Sequence, residues 1–183
     1  MSEDHLIRYC APTLAGIKTG SLFSCACTSR SQLRDTVRKI NKRLVPRGLR
    51  LLPLCFSDKK ALMYVYRPSG LRKDLSQASA LALLNQNGYC TGNCEKCIAQ
   101  LARKLKQQKD FPHEIGLFLG YPPEDVQGFI DHNACGCKYT GRWKVYGDEE
   151  AAKKRFAQYQ KCDRIYRQCW ENGHTLERLA VVR

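Results

Sequence analysis

In the stretch CTGNCEKC, residues 90–97, Cys90, Cys94 and Cys97 form a Cys-x3-Cys-x2-Cys array. Thiolate is a soft, anionic ligand, so three of them at this spacing can seat an iron–sulfur cluster, or zinc once a fourth ligand joins. Cys135 or Cys137 would supply that ligand, because Gly136 between them lets the loop bend, and Cys137 is assigned to the set. Packing is the plainer alternative. Cys94 and Cys97 fall on the first turn of an expected helix, where cysteine serves as a small apolar side chain. The cofactor itself is not specified by the spacing; iron–sulfur and zinc are the two candidates.

A second chemistry needs one thiol and one imidazole. Cys10 stands just before Pro12, and Thr13 to Lys18 are expected to form a short helix opened by that proline. Positive charge from a helix start and from a neighbouring imidazole favours thiolate at neutral pH. His113 also follows a proline and is expected at the head of a helix, with Glu114 or Asp131 available to orient its ring. The pattern predicts a nucleophilic or redox-active Cys10, assisted by His113 and Glu114, acting on a small or peptide-like substrate. The alternative is a buried thiol and a helix-capping histidine.

Charge raises a third reading. Lys and Arg number 31 against 17 Asp and Glu, a formal +14, which attracts nucleic acid or another polyanion. An expected helix over 31–44 gathers Arg34, Arg38, Lys39, Lys42 and Arg43, followed by Arg47 and Arg50, into a ridge suited to phosphate contacts. Such a face is otherwise merely solvated. Residues 113–130 have helix-turn-helix spacing at Gly116, Gly120 and Val126, but Glu124 and Asp125 stand where the second helix would meet phosphates. The two-helix geometry is therefore expected without DNA reading.

These residues must be held by a core, and 183 residues that are 43% hydrophobic suffice for one domain, 1–183. Leu33, Val37, Ile40 and Leu44 stripe the helix over 31–44, which Ser29 and Gln32 open at capping-box spacing. SLFSCAC, 21–27, alternates with Phe23, Cys25 and Cys27 on one face. LRLLPLCF (49–56) and ALMYVYR (61–67) form a hairpin in which Pro53 marks an edge or a bulge. Helices are expected over 75–87, 94–108 and 148–172, with two short ones in 111–132 broken at Gly120, and strands over 141–147 and at the closing TLERLAVVR. The sum is an α+β fold, a small mixed or antiparallel sheet of about four to five strands with helices packed on it. No apolar run approaches the ~20 residues that would span a bilayer. The start MSEDHLIRYC is acidic where a signal would be basic, so a cytoplasmic protein with reduced thiols and no membrane insertion is expected.

Three blocks, CAPTLAGIKTGSLFSC (10–25), FPHEIGLFLGYPPEDVQGFI (111–130) and GRWKVYGDEEAAKKRFAQYQKC (141–162), resemble the signature segments of a bacterial family catalogued as domain of unknown function 3793, found largely in anaerobic Firmicutes. The resemblance spans nearly the whole chain and implies no activity. It directs attention to Cys10, His113 and Glu114, and to Lys18, Tyr121, Trp143 and Lys144 as the expected substrate-binding set. GYCTGNCEKC departs from the family pattern, which is expected to read there as a Gly-Tyr turn entering a helix without three cysteines.

Overall fold

The computed structural model of the protein describes residues 1–57, 59–107 and 110–182. Asp58 of the expected hairpin turn, Gln108 at the expected end of the helix from 94, and Arg183 of the expected final strand lie outside the described residues. The architecture is α+β, and its contacts divide into two compact units, Met1–Gly70 with Lys161–Arg183, and Leu71–Gln160.

In the first unit, β1 (Gly20–Ala26), β2 (Arg50–Phe56) and β3 (Lys60–Tyr66) form an antiparallel sheet in the order β1-β3-β2. The register pairs Phe23 with Met63 and Ser21 with Val65, so the period-2 alternation sends Phe23, Cys25, Ala61, Met63 and Val65 to one face. Two helices, α1 (Glu3–Leu14) and α2 (Arg30–Leu44), contribute Leu6, Ile7, Cys10, Leu14, Leu33, Val37, Ile40 and Leu44 to the core on that face. Ser29 caps α2 by accepting the Gln32 N–H. Pro53 lies on an edge strand, and the β2–β3 register slips between Pro53 and Cys55, so both outcomes expected of a proline without an N–H occur together.

Two arginines tie this unit together. Arg67, buried just after β3, donates from Nε to Thr13 O at 2.8 Å and from Nη2 to Leu14 O at 2.7 Å and Val181 O at 2.8 Å. The first two acceptors are carbonyls of the last turn of α1, which lack helical partners and carry the negative end of the helix dipole. Arg43, near the end of α2, forks between the carboxylates of Glu3 and Glu177.

The second unit is mostly helical. It holds most of α3 (Pro68–Leu75), then α4 (Ala78–Gln86), α5 (Cys94–Gln107), α6 (Ile115–Phe118) and α7 (Pro123–Asp131). A two-residue ladder, β4 (Tyr139–Thr140) with β5 (Lys144–Val145), follows, and α8 (Glu149–Glu171) leaves this unit at Gln160. Gly120, at φ 74°, makes the left-handed turn between α6 and α7 that the sequence pattern requires.

Four elements differ from the sequence expectation. The first helix begins at Glu3, not after Pro12: Glu3 and Asp4 favour the positive end of α1, and Pro12 falls in its last turn. One helix over 75–87 is replaced by α3 and α4, separated at Ser76 and Gln77. The strand over 141–147 contracts to β5 and gains β4 as its partner. The closing segment is not a strand: Thr175 accepts the Arg178 N–H and starts α9 (Leu176–Leu179), whose Leu176 and Leu179 are buried three residues apart.

The Arg43 fork makes acid stability predictable. Hydrogen bonding from Arg43 holds the Glu177 carboxyl down from its ordinary 4.5 to about 2. A carboxyl with a lowered folded-state pKa adds stability that is present above the ordinary value and is lost as pH falls toward the folded one. Thermal unfolding followed by circular dichroism should therefore show a midpoint that drops as pH falls from 4.5 to about 2, with a shallower drop in Arg43→Met.

Candidate functional site

Cys10 lies in the third turn of α1 on the same stripe as Leu6, Ile7 and Leu14, and its side chain is 0% exposed. Burial pushes its thiol far above the ordinary thiol range, and the nearby charge of Lys18 only partly opposes this. The expected thiolate at a helix start is thus overturned: Cys10 stands toward the C-terminal end of α1, and the thiol is core. His113 belongs to the other unit, where it is exposed in the turn before α6, with its ring 4.9 Å from that of Phe129. Glu114 does not orient it. The Glu114 carboxylate is buried, paired with Lys104 Nζ at 2.8 Å, and accepts the Tyr89 hydroxyl at 2.9 Å. Lys104 also donates to Asn87 O at 2.7 Å and lies 4.5 Å from the Tyr89 ring centroid, so Glu114 anchors α5 to the segments on either side.

The opening array fares differently. Asn93 starts α5, its side chain accepting the Lys96 N–H at 3.0 Å, and this puts Cys94 in the first turn and Cys97 one turn on. Cys97 is buried and donates its S–H to Cys90 O at 3.4 Å. Gln100, on α5, brackets Cys90: its side-chain oxygen accepts the Cys90 N–H at 2.8 Å and its amide lies 3.7 Å from the Cys90 sulfur. Cys90 is exposed and Cys94 half-buried. Cys94 and Cys97 line one cavity of about 160 Å³, mostly apolar, with Arg72 on its wall. Burial raises the pKa of both thiols; the Arg72 charge opposes the rise at Cys94, whereas Cys94 and Cys90 add to it at Cys97.

That arrangement does not make the expected metal set. Among the described residues no group of three or more His, Cys, Asp or Glu side chains is disposed to hold a metal ion. The cause is local, since Cys97 turns its sulfur to a backbone carbonyl and Gln100 holds that of Cys90. Cys137, the assigned fourth ligand, lies 3.3 Å from the Thr140 hydroxyl.

The segment Gly120 to Tyr146 is organised by Asp125. Its buried carboxylate accepts Trp143 Nε1–H at 2.7 Å, Tyr146 N–H at 2.7 Å and Gly147 N–H at 2.8 Å. Trp143 is consequently core, stacked on Tyr121 at 4.5 Å and met edge-on by Phe156 at 4.4 Å. Lys144 is also structural, donating to Ala134 O at 2.6 Å and so closing the loop that enters the ladder. Gly128 has a reason of its own: a Cβ there would come within 2.4 Å of the Tyr146 ring. Of the expected substrate-binding set, Tyr121 alone lines a cavity among those described.

Sequence reasoning missed Arg72 and Gln100. Gln100 was legible in principle, being one turn beyond Cys97 on the same helix face; Arg72 had no sequence signal, because only the path of α3 brings it to Cys94.

Fold and site together define an α+β protein with eleven cysteines and no disulfide among the described residues, three of the cysteines clustered around the head of one helix. The chain belongs to the family described as protein of unknown function (DUF3793), which matches residues 6–180. No curated protein and no solved structure matches it.

Exposure predicts the order of alkylation. Brief iodoacetamide treatment of the native protein, read by peptide mass spectrometry, should modify Cys90 and Cys135 first and Cys10 only after denaturation. Early labelling of Cys10 would contradict the buried assignment.

Proposed function

We propose that this is a thiol-dependent protein whose working groups are Cys94 and Cys97, exchanging thiol for disulfide with a small or peptide-like disulfide substrate. One observation carries the reading: two thiols one turn apart at the head of α5 open onto the same largely apolar cavity, with a guanidinium beside the outer one. Cys94, the more accessible, attacks. Its thiolate, favoured by Arg72 and by the positive end of α5, bonds to one substrate sulfur and expels the other as a thiolate that takes up a proton. Cys97 then gives up its proton and attacks the Cys94 sulfur of the mixed disulfide, releasing the second substrate thiol. Two protein thiols are oxidised to one disulfide and the substrate disulfide is reduced to two thiols; a thiol reductant of a reducing compartment such as the cytoplasm restores the protein.

A small symmetrical disulfide tests this. In the wild-type protein, mass spectrometry should find a Cys94–Cys97 crosslink, and Cys97→Ser should instead accumulate the mixed disulfide on Cys94. Because Arg72 opposes the raised pKa of Cys94, Arg72→Gln should slow the reaction at neutral pH and lose less of its rate as pH rises. The reading fails if Cys94→Ser reacts as fast as wild type, or if Cys97→Ser traps the substrate on Cys90 alone.

A second reading rests on a different surface. Arg34, Arg38, Lys39 and Lys42 of α2 are all exposed, and among the described residues Arg38 alone of the four is ion-paired, with Asp35, whereas Arg43 is committed to Glu3 and Glu177. This face supports binding of a nucleic acid or another polyanion through phosphate contacts. Retention on single- or double-stranded nucleic acid should then weaken steeply with salt, and neutralising Arg34, Lys39 and Lys42 together should flatten that dependence by about one unit of slope per residue. An unchanged slope removes the reading.

A further inference from the structure

Apart from the thiols, the second unit holds a larger cavity, about 260 Å³, lined by Asp74, Gln77, Leu117, the loop Gly120 to Glu124, and Arg155. The loop is not free to collapse into it. Gly120 turns the chain at φ 74°, two prolines follow, and Tyr121 is stacked against Trp143, itself fixed by its hydrogen bond to Asp125. The opening is therefore a formed recess with one rigid aromatic wall.

Its charges are unusual for this chain. Arg155, half-buried on α8, forms no hydrogen bond or ion pair among the described residues; the Tyr159 hydroxyl lies within reach of its charge. Glu124, in the first turn of α7, likewise makes no hydrogen bond or ion pair among the described residues. Both reach the same cavity and leave each other unpaired, while Asp74 adds a second carboxylate to the lining. A guanidinium and a carboxylate presented to one recess, and not to each other, are complementary to a ligand that carries the opposite pair. Leu117, Pro122 and Pro123 offer an apolar surface between polar groups, as small-molecule sites commonly do.

We infer that this cavity binds a small zwitterion, an α-amino acid, with its carboxylate on Arg155 and its ammonium on Glu124. The volume admits the backbone of an amino acid and a side chain laid on the prolines. Nothing in this assignment depends on Cys94 or Cys97.

Amide chemical shifts of the labelled full chain, titrated at millimolar concentrations with single amino acids, their decarboxylated amines and their N-acetylated forms, test it. Saturable shifts are expected at Gly120, Tyr121 and Gly147 for free amino acids, with affinity at least about tenfold weaker for both the amine and the N-acetyl form. Arg155→Gln should abolish the preference for the amino acid over its amine, and Glu124→Gln the preference over its N-acetyl form. Both residues lie at the surface of the cavity, so unchanged thermal melting should accompany these losses. No saturable shift with any amino acid, or equal binding of the amine that survives Arg155→Gln unaltered, would overturn the assignment.

Discussion

One buried carboxylate sets the geometry of the second unit. Asp125 accepts two backbone N–H groups from the chain after β5 and the indole N–H of Trp143, three charge-assisted bonds for a group that would otherwise be costly to bury. Because Asp125 sits in the first turn of α7, these bonds fix the ladder to the helix, and through Trp143 they fix the ring of Tyr121. Hydrogen bonds of this kind are worth about 1.5–3 kcal/mol each when a charge is involved, so the loop Gly120 to Glu124 is held by more energy than its own short sequence could supply. A preformed recess follows from that restraint.

The same logic separates two kinds of thiol in this chain. Cys10 and Cys94 are both cysteines near a helix end, but they meet opposite electrostatics. Cys10 lies where a helix ends and apolar side chains enclose it; Cys94 lies where a helix begins, at a cavity, near a guanidinium. Spacing alone could not tell them apart, whereas the stripe Leu6, Ile7, Cys10, Leu14 could have, since a residue on the buried face of a helix is a packing residue before it is anything else.

How much was readable depended on whether the signal was local. The helix α2 was legible from its cap at Ser29 and its apolar stripe, and the β2–β3 hairpin from alternation and Pro53. Where a closing strand is expected, α9 forms instead, because the Thr175 cap and the Leu176–Leu179 spacing outweigh the strand preference of Val181 and Val182. α1 begins nine residues before the proline expected to open it, because Pro12 lies near its end. At the candidate site, the thiols were visible through their spacing, but Arg72, Arg155 and the three donors to Asp125 come from distant parts of the sequence, and no periodicity announces such partners.

The proline in β2 bears on more than register. β2 is an outer strand of its sheet, and an outer strand with an unbroken row of amides invites a second molecule to add its own backbone there. Pro53 removes one donor from that row, and the slip beside it kinks the row out of step. This flank of the sheet is therefore a poor template for fibrillar growth, a safeguard in a polypeptide that combines apolar strands with many free sulfhydryls.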